Sequence, residues 1–178
     1  MKLNLFRKSI LLICSLTLVF TCEVCWAATK SVTISFLGEQ VSVNLEPRQS
    51  QDGEGVELYL TNTPENQKIY VDFYEPEGGA TPEIKSIFVS GKNPKKLFVI
   101  VAWNGDDSAI GTGGSIYEVS AYDELIERSE TQIRLHQDTT LTKRFGVGFD
   151  GVREGKRLRY KYKTASSVRH QLIEWGYR

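Results

Sequence analysis

The stretch that most constrains the fold is Leu97-Phe98-Val99-Ile100-Val101-Ala102-Trp103, an unbroken apolar run between Lys95-Lys96 and Asn104-Gly105-Asp106-Asp107. A helix this short barely completes two turns, and the Asn-Gly break allows no extension. A short run rich in Val, Ile, Phe and Trp and closed by turn residues predicts a strand buried on both faces. The rest of the chain is expected to pack around it.

The N-terminus assigns a compartment. Lys2, Arg7 and Lys8 form a positive region ahead of an apolar stretch, residues 10–20. That stretch is too short for a bilayer, which needs ~20 residues. Cys25-Trp26-Ala27-Ala28 then supplies small residues for cleavage after Ala27. Residues 1–27 are therefore expected to be a secretory signal peptide, and 28–178 a single β-rich domain in the periplasm or outside the cell. Two alternatives are weaker. An uncleaved anchor is disfavoured by length, and lipidation at Cys22 by the absence of a small residue just before it. The chain's 3 cysteines, Cys14, Cys22 and Cys25, all precede the cut. The mature protein is thus expected to hold neither disulfide nor thiol nucleophile, and to depend on its core alone. About 150 residues suffices for one such core.

Alternation marks most of the strands. Val32, Ile34 and Phe36 face one way, and Val41, Val43 and Leu45 follow a Gly38-Glu39-Gln40 turn, predicting a hairpin. Residues 46–55, with Pro47, Asp52 and two glycines, read as a mobile loop. Strands are expected over 56–60, over 68–74 with Ile69, Val71 and Phe73 inward, and over 84–90. A glycine-rich loop, 104–114, leads to a strand over 115–122. Residues 124–128 suit a helical turn, 131–135 alternates like a strand, 141–152 reads as an irregular bulged strand, and 156–163 alternates cleanly. At the end, Val168, Leu172 and Trp175 recur at helical spacing, with Thr164 or Ser166 as cap and Gly176 as stop. That predicts one helix, about 165–175, with Trp175 plugging the edge of the sheet core. The fold expected is mainly β: an antiparallel β-sandwich or open barrel with one C-terminal α-helix.

Net charge is +0, but residues 30–138 carry 9 Lys and Arg against 18 Asp and Glu, while 139–178 carry 10 against 3. An acidic body is followed by a basic segment, and mutual neutralisation is the simplest expectation. Arg157, Arg159, Lys161 and Lys163 share one face of the strand expected at 156–163, opposite Leu158, Tyr160 and Tyr162. Such a row either binds an anionic surface or guards a sheet edge against aggregation. Export argues against nucleic acid, although interleaved tyrosines would otherwise suggest it. Tyr59, Tyr70, Tyr74 and Tyr122 fall opposite the aliphatic residues of their strands. They suit either a protein- or sugar-binding surface or a second core layer.

Catalytic signals are weak. Gly146-Val147-Gly148-Phe149-Asp150-Gly151 fits G-x-G-x-x-G, but a turn and a strand follow where a dinucleotide site needs a helix. No cofactor is expected. His136 and His170 lack metal-ligand spacing, so no metal is expected either. Asp106 and Asp107, in the loop after the central strand, are a possible paired-carboxylate site, though solvated turn acids are the plainer reading. The chain reads as an exported protein that binds another protein or an envelope component, with an inhibitor or immunity-type role in view. The alternative is a carboxylate-based hydrolase acting on an envelope glycan. In that case Asp106 or Asp107 should meet a second carboxylate or His136 in a concave pocket. N-terminal sequencing of the exported protein is expected to begin at or next to Ala28; a lipid-bearing Cys22 would overturn the soluble reading.

Overall fold

The computed structural model describes residues 32–62, 66–107, 111–130 and 132–177, with only the backbone of Asp106 and Asp107. The expected signal peptide lies outside the described residues. Ten strands form one sheet that curls strongly into a half-barrel, of the two architectures expected the open barrel rather than the sandwich. In chain order they are β1 (Val32–Phe36), β2 (Glu39–Ser50), β3 (Gly53–Asn62), β4 (Lys68–Tyr74), β5 (Pro82–Ser90), β6 (Lys96–Asp107), β7 (Thr112–Arg128), β8 (Ile133–Gln137), β9 (Val147–Arg153) and β10 (Lys156–Leu158). Among the described residues two helices, α1 (Thr139–Phe145) and α2 (Ala165–Glu174), complete the fold. The sheet order is β1-β2-β3-β4-β8-β7-β6-β5, with β9 on β7 and β10 on β9. Every pairing is antiparallel except β4 with β8, which meet in parallel at Tyr70 and Arg134.

The apolar run lies inside β6, between β5 and β7, and every residue from 97 to 103 is buried. Its two faces serve different cores. Leu97, Val99, Val101 and Trp103 point into the half-barrel, among Phe36, Leu58, Leu60, Ile69, Val71 and Leu135. Phe98 and Ile100 point outward to Phe88, Val119, Leu141, Phe145, Val168 and Leu172. The outer core is roofed by the helices, which is why this strand is apolar at every position rather than at alternate ones.

Several elements differ from expectation. Residues 46–55 are not a loop: β2 and β3 pair from Val41–Asn62 to Ser50–Gly53, turning at 51–52. Pro47 is tolerated because β1 covers β2 only as far as Val43. The loop expected at 104–114 is largely a hairpin, paired out to Asp107 and Thr112. Residues 124–128 continue β7 as strand. In β4 the inward residue after Val71 is Tyr74, not Phe73, because the β3–β4 register shifts at Leu58/Tyr59 and the alternation changes phase.

Residues 141–152 form not one strand but α1 followed by β9. The Asp138 carboxylate caps α1 by accepting the Leu141 N–H at 2.8 Å, and Leu141 and Phe145 are buried four residues apart. Lys96 donates to both Asp138 and Asp123, tying the helix start to the sheet. Capping, burial and this ion pair outweigh the poor helix propensity of a Thr-rich segment. The glycines of the apparent nucleotide motif all have structural uses. Gly146 caps α1 at φ 67°, Gly148 lies beneath the Tyr160 ring, and Gly151 faces Gly114 with no space for a Cβ on either.

The strand expected over 156–163 stops at Leu158. Beyond it the chain leaves the ladder, because Tyr160 packs on Gly148 and donates its hydroxyl to the Gly146 carbonyl at 2.7 Å. α2 follows as expected, with a Thr164–Ser167 capping box and Val168 and Leu172 buried. Trp175 sits against Phe145 and Tyr162 in the helix layer rather than at the sheet edge. Among the described residues no helix is long and apolar enough to cross a membrane. Val99 is fully buried. An unpaired carboxylate there costs several kcal/mol against a total of ~5–15. Val99→Asp is therefore expected to abolish the cooperative thermal transition followed by circular dichroism; an unchanged melting temperature would remove β6 from the core.

Candidate functional site

A concavity lies where the sheet divides. The first part of β7, up to Glu118, pairs with β9, whereas its later part, from Tyr122, pairs with β8. A groove opens between β4 and this fork. It consists of two adjoining clefts of about 480 and 570 Å³ that share Glu77, Trp103 and Ile116. Trp103, the last residue of the apolar run, is part of the lining and is 8% exposed. Its indole N–H donates to the Glu75 carbonyl at 2.7 Å, which fixes the ring beneath the β4–β5 connection. That connection is a tight turn in which Glu77 and Ala80 exchange backbone bonds of 3.1 and 3.0 Å.

One part of the groove is acidic. Asp72 and Glu118 are half-buried in it, and Glu75 and Glu77 are exposed at its rim. Asp72 accepts the Tyr122 hydroxyl at 2.6 Å and the Phe73 N–H at 2.9 Å. The Tyr74 and Tyr122 hydroxyls are 2.9 Å apart. Since Tyr122 gives its only proton to Asp72, Tyr74 donates to Tyr122, and a relay of hydroxyls ends on the carboxylate. Burial pushes the Asp72 carboxyl above its ordinary value, outweighing the bonds from Tyr122 and Phe73. Burial also raises Glu118; the Ser120 hydroxyl, donating at 3.2 Å, opposes this, and repulsion from Asp72 and Glu77 adds to it. Tyr74 and Tyr122, closed into the inner core, are pushed well above the phenol range by burial.

The tyrosines named from sequence thus separate into two pairs. Tyr74 and Tyr122 are core residues; the Tyr122 hydroxyl bonds the groove's Asp72, and the Tyr74 hydroxyl bonds that of Tyr122. Tyr59 and Tyr70 lie on the outside of β3 and β4, edge to face at 5.6 Å, beside a shallow cleft near the β7–β8 turn. The Lys68 ammonium sits 3.7 Å from the Tyr59 ring centre. Glu57 accepts the Tyr59 hydroxyl at 2.5 Å; burial, with this bond behind it, raises that phenol to about 12.

The basic row is not one strand face. Arg157, in β10, and Arg159 are exposed. Lys161 donates to Gln171 at 2.6 Å, and Lys163 pairs with Asp150 at 2.7 Å. The expected neutralisation of the acidic body by ion pairs does not occur among the described residues: the pairs made by 139–177 are Lys163–Asp150 and His170–Glu174, both internal to that segment.

His136 is not among the groove's lining residues; it is half-buried, 2.6 Å from Glu127. Asp106 and Asp107 pair through their backbone with Gly113 and Thr112 at the far end of the β6–β7 hairpin. Among the described residues no group of three or more His, Cys, Asp or Glu is placed to hold a metal.

Sequence reasoning missed Asp72, Glu118 and Trp103 as neighbours. Each is visible as an acid or Trp within an otherwise apolar or aromatic strand, but the phase change in β4 and the fork in β7 are what bring them together. Neither a family model, nor a curated protein, nor a solved structure matches the chain.

A raised carboxyl contributes most to stability at low pH, and that contribution is lost as pH rises through the folded value. Glu118→Gln is therefore expected to melt above the wild type at pH 7. The difference should close as pH falls below the ordinary glutamate value of 4.5. A variant that melts lower at pH 7 would mean that the groove stabilises the charged form.

Proposed function

We propose that the protein is an exported binding protein of the periplasm or extracellular space that recognises another protein or an envelope component, with an inhibitor or immunity-type role. The observation carrying this reading is the groove: a broad, open concavity with an aromatic wall and acids of one sign, and no Lys, Arg or His among its lining residues. Apolar surface beside a few aimed polar groups is the usual make-up of a recognition site. Its charge steers partners of the opposite sign. Both inner acids are already engaged by the chain's own donors, Asp72 by Tyr122 and Glu118 by Ser120, an arrangement suited to a preformed surface. Arg157, exposed on β10, and Arg159, exposed just past it, offer a second contact, as do Tyr59 and Tyr70.

A hydrolase reading is favoured by one observation. Asp72 and Glu118 share the groove, and both carboxyls are raised. Glycoside hydrolysis uses an acid that keeps its proton near neutral pH, paired with a second carboxylate. In this reading Asp72 and Glu118 take the place expected of Asp106 and Asp107.

One experiment separates the two. The wild type and an Asp72→Asn/Glu118→Gln variant are immobilised, exposed to envelope extract, and assayed in parallel for reducing ends released from envelope glycan. Binding predicts stoichiometric capture of a defined partner without glycan release. Release by the wild type that disappears in the variant would establish the hydrolase instead.

A further inference from the structure

We infer that the groove accepts an extended, basic segment of a partner protein, laid as an added strand along the free edge of β4. This inference rests on the binding reading above and names the partner's chemistry. Among the described residues the β4–β8 ladder is confined to Tyr70–Arg134, with the Gln137 amide reaching Asp72 at 3.5 Å, whereas β4 pairs with β3 as far as Tyr74, so the outer edge of its last residues carries no ladder. An unpaired edge presents backbone donors and acceptors, the template for strand addition. At Phe73 the backbone N–H is held by the Asp72 side chain at 2.9 Å. An incoming carbonyl can replace that carboxylate oxygen without disturbing the sheet.

The edge does not face open solvent but one wall of the groove. Glu118 and Val147 form the opposite side, and Val147 is 65% exposed, a large apolar side chain without cover. Side chains of an added strand alternate. One set would meet Val147 and Phe73, and the other would meet Asp72, Glu75, Glu77 and Glu118. Charge complementarity selects the occupant. With four acids and no cation along this cleft, an acidic or neutral segment gains little, whereas Lys or Arg at alternate positions meets a carboxylate each time.

The test uses a fluorescent eight-residue peptide alternating Lys with Val, the same peptide with Glu for Lys, and a third with alternate backbone nitrogens methylated. Methylation keeps the charge but removes the donors needed for strand pairing. Anisotropy titrations against the purified protein are run at two salt concentrations. The basic peptide is expected to bind. Methylation, and separately Glu75→Gln/Glu77→Gln at the exposed rim, should each weaken binding by about tenfold, and added salt should weaken it further. Equal binding of the methylated or the acidic peptide would overturn strand addition or charge selection respectively. Failure of the basic peptide to bind, together with binding of soluble glycan fragments, would overturn the inference and assign the groove to sugar. If a partner captured from extract binds the rim variant as well as the wild type, the binding function stands and this inference falls. Melting curves for the rim variant, whose substitutions lie at exposed positions, confirm that any loss is not unfolding.

Discussion

Burial of β6 on both faces is the constraint on which the rest of the molecule depends. A strand with no solvent side needs apolar cover above and below, and one sheet cannot supply both. The chain meets this by curling strands β1–β4 back over one face and placing α1, α2 and the 159–164 crossing on the other. Each buried Val, Leu, Ile or Phe contributes ~1.5–3 kcal/mol, so β6 alone anchors two cores that would otherwise be separate. The aromatic cluster of Phe145, Tyr160, Tyr162 and Trp175 extends the outer one and holds the C-terminal segment where hydrogen-bond ladders no longer do.

Covering one strand twice has a consequence at β7. That strand is seventeen residues long and cannot keep one neighbour throughout. It takes β9 along its first half and β8 along its second, and between them Ala121 donates its N–H to Thr142 of α1 and accepts from the Asp138 N–H. At this junction the Lys96 ammonium bridges Asp123 and Asp138. Burial alone would raise the Asp138 carboxyl, yet bonds from Lys96 and the Leu141 N–H hold it below its ordinary value. The pair thus favours folding at neutral pH and loses that contribution in acid. Among the described residues the β4–β8 ladder is confined to Tyr70–Arg134, and the groove opens beside the rest of β4.

Charge is distributed by element rather than balanced by contact. The basic C-terminal segment docks on the acidic sheet through apolar and aromatic packing, and among the described residues its ion pairs stay within itself. Exposed pairs are worth ~0–1 kcal/mol in any case. An acidic groove and exposed arginines are left on the surface together, and this matters more for association than for stability.

Much was legible in the sequence because it depends on local pattern. The seven-residue apolar run required a buried strand, alternation located β1, β3, β4, β5 and β8, and cap plus helical spacing located α2 to within a residue. Composition was less reliable. Pro and Gly suggested loops at 46–55 and 104–114 where long hairpins run, because edge position and cross-strand glycine pairs tolerate those residues. A Thr-rich, Gly-flanked segment became α1 only through its cap and the Lys96 bridge. The site was not legible. Asp72 and Glu118 are 46 positions apart, on strands whose approach depends on one register shift and one change of partner. The sequence by itself determined a β protein organised around β6. Which acids, hydroxyls and indole share a groove was decided only by tertiary structure, since long-range pairing leaves no local periodicity to read.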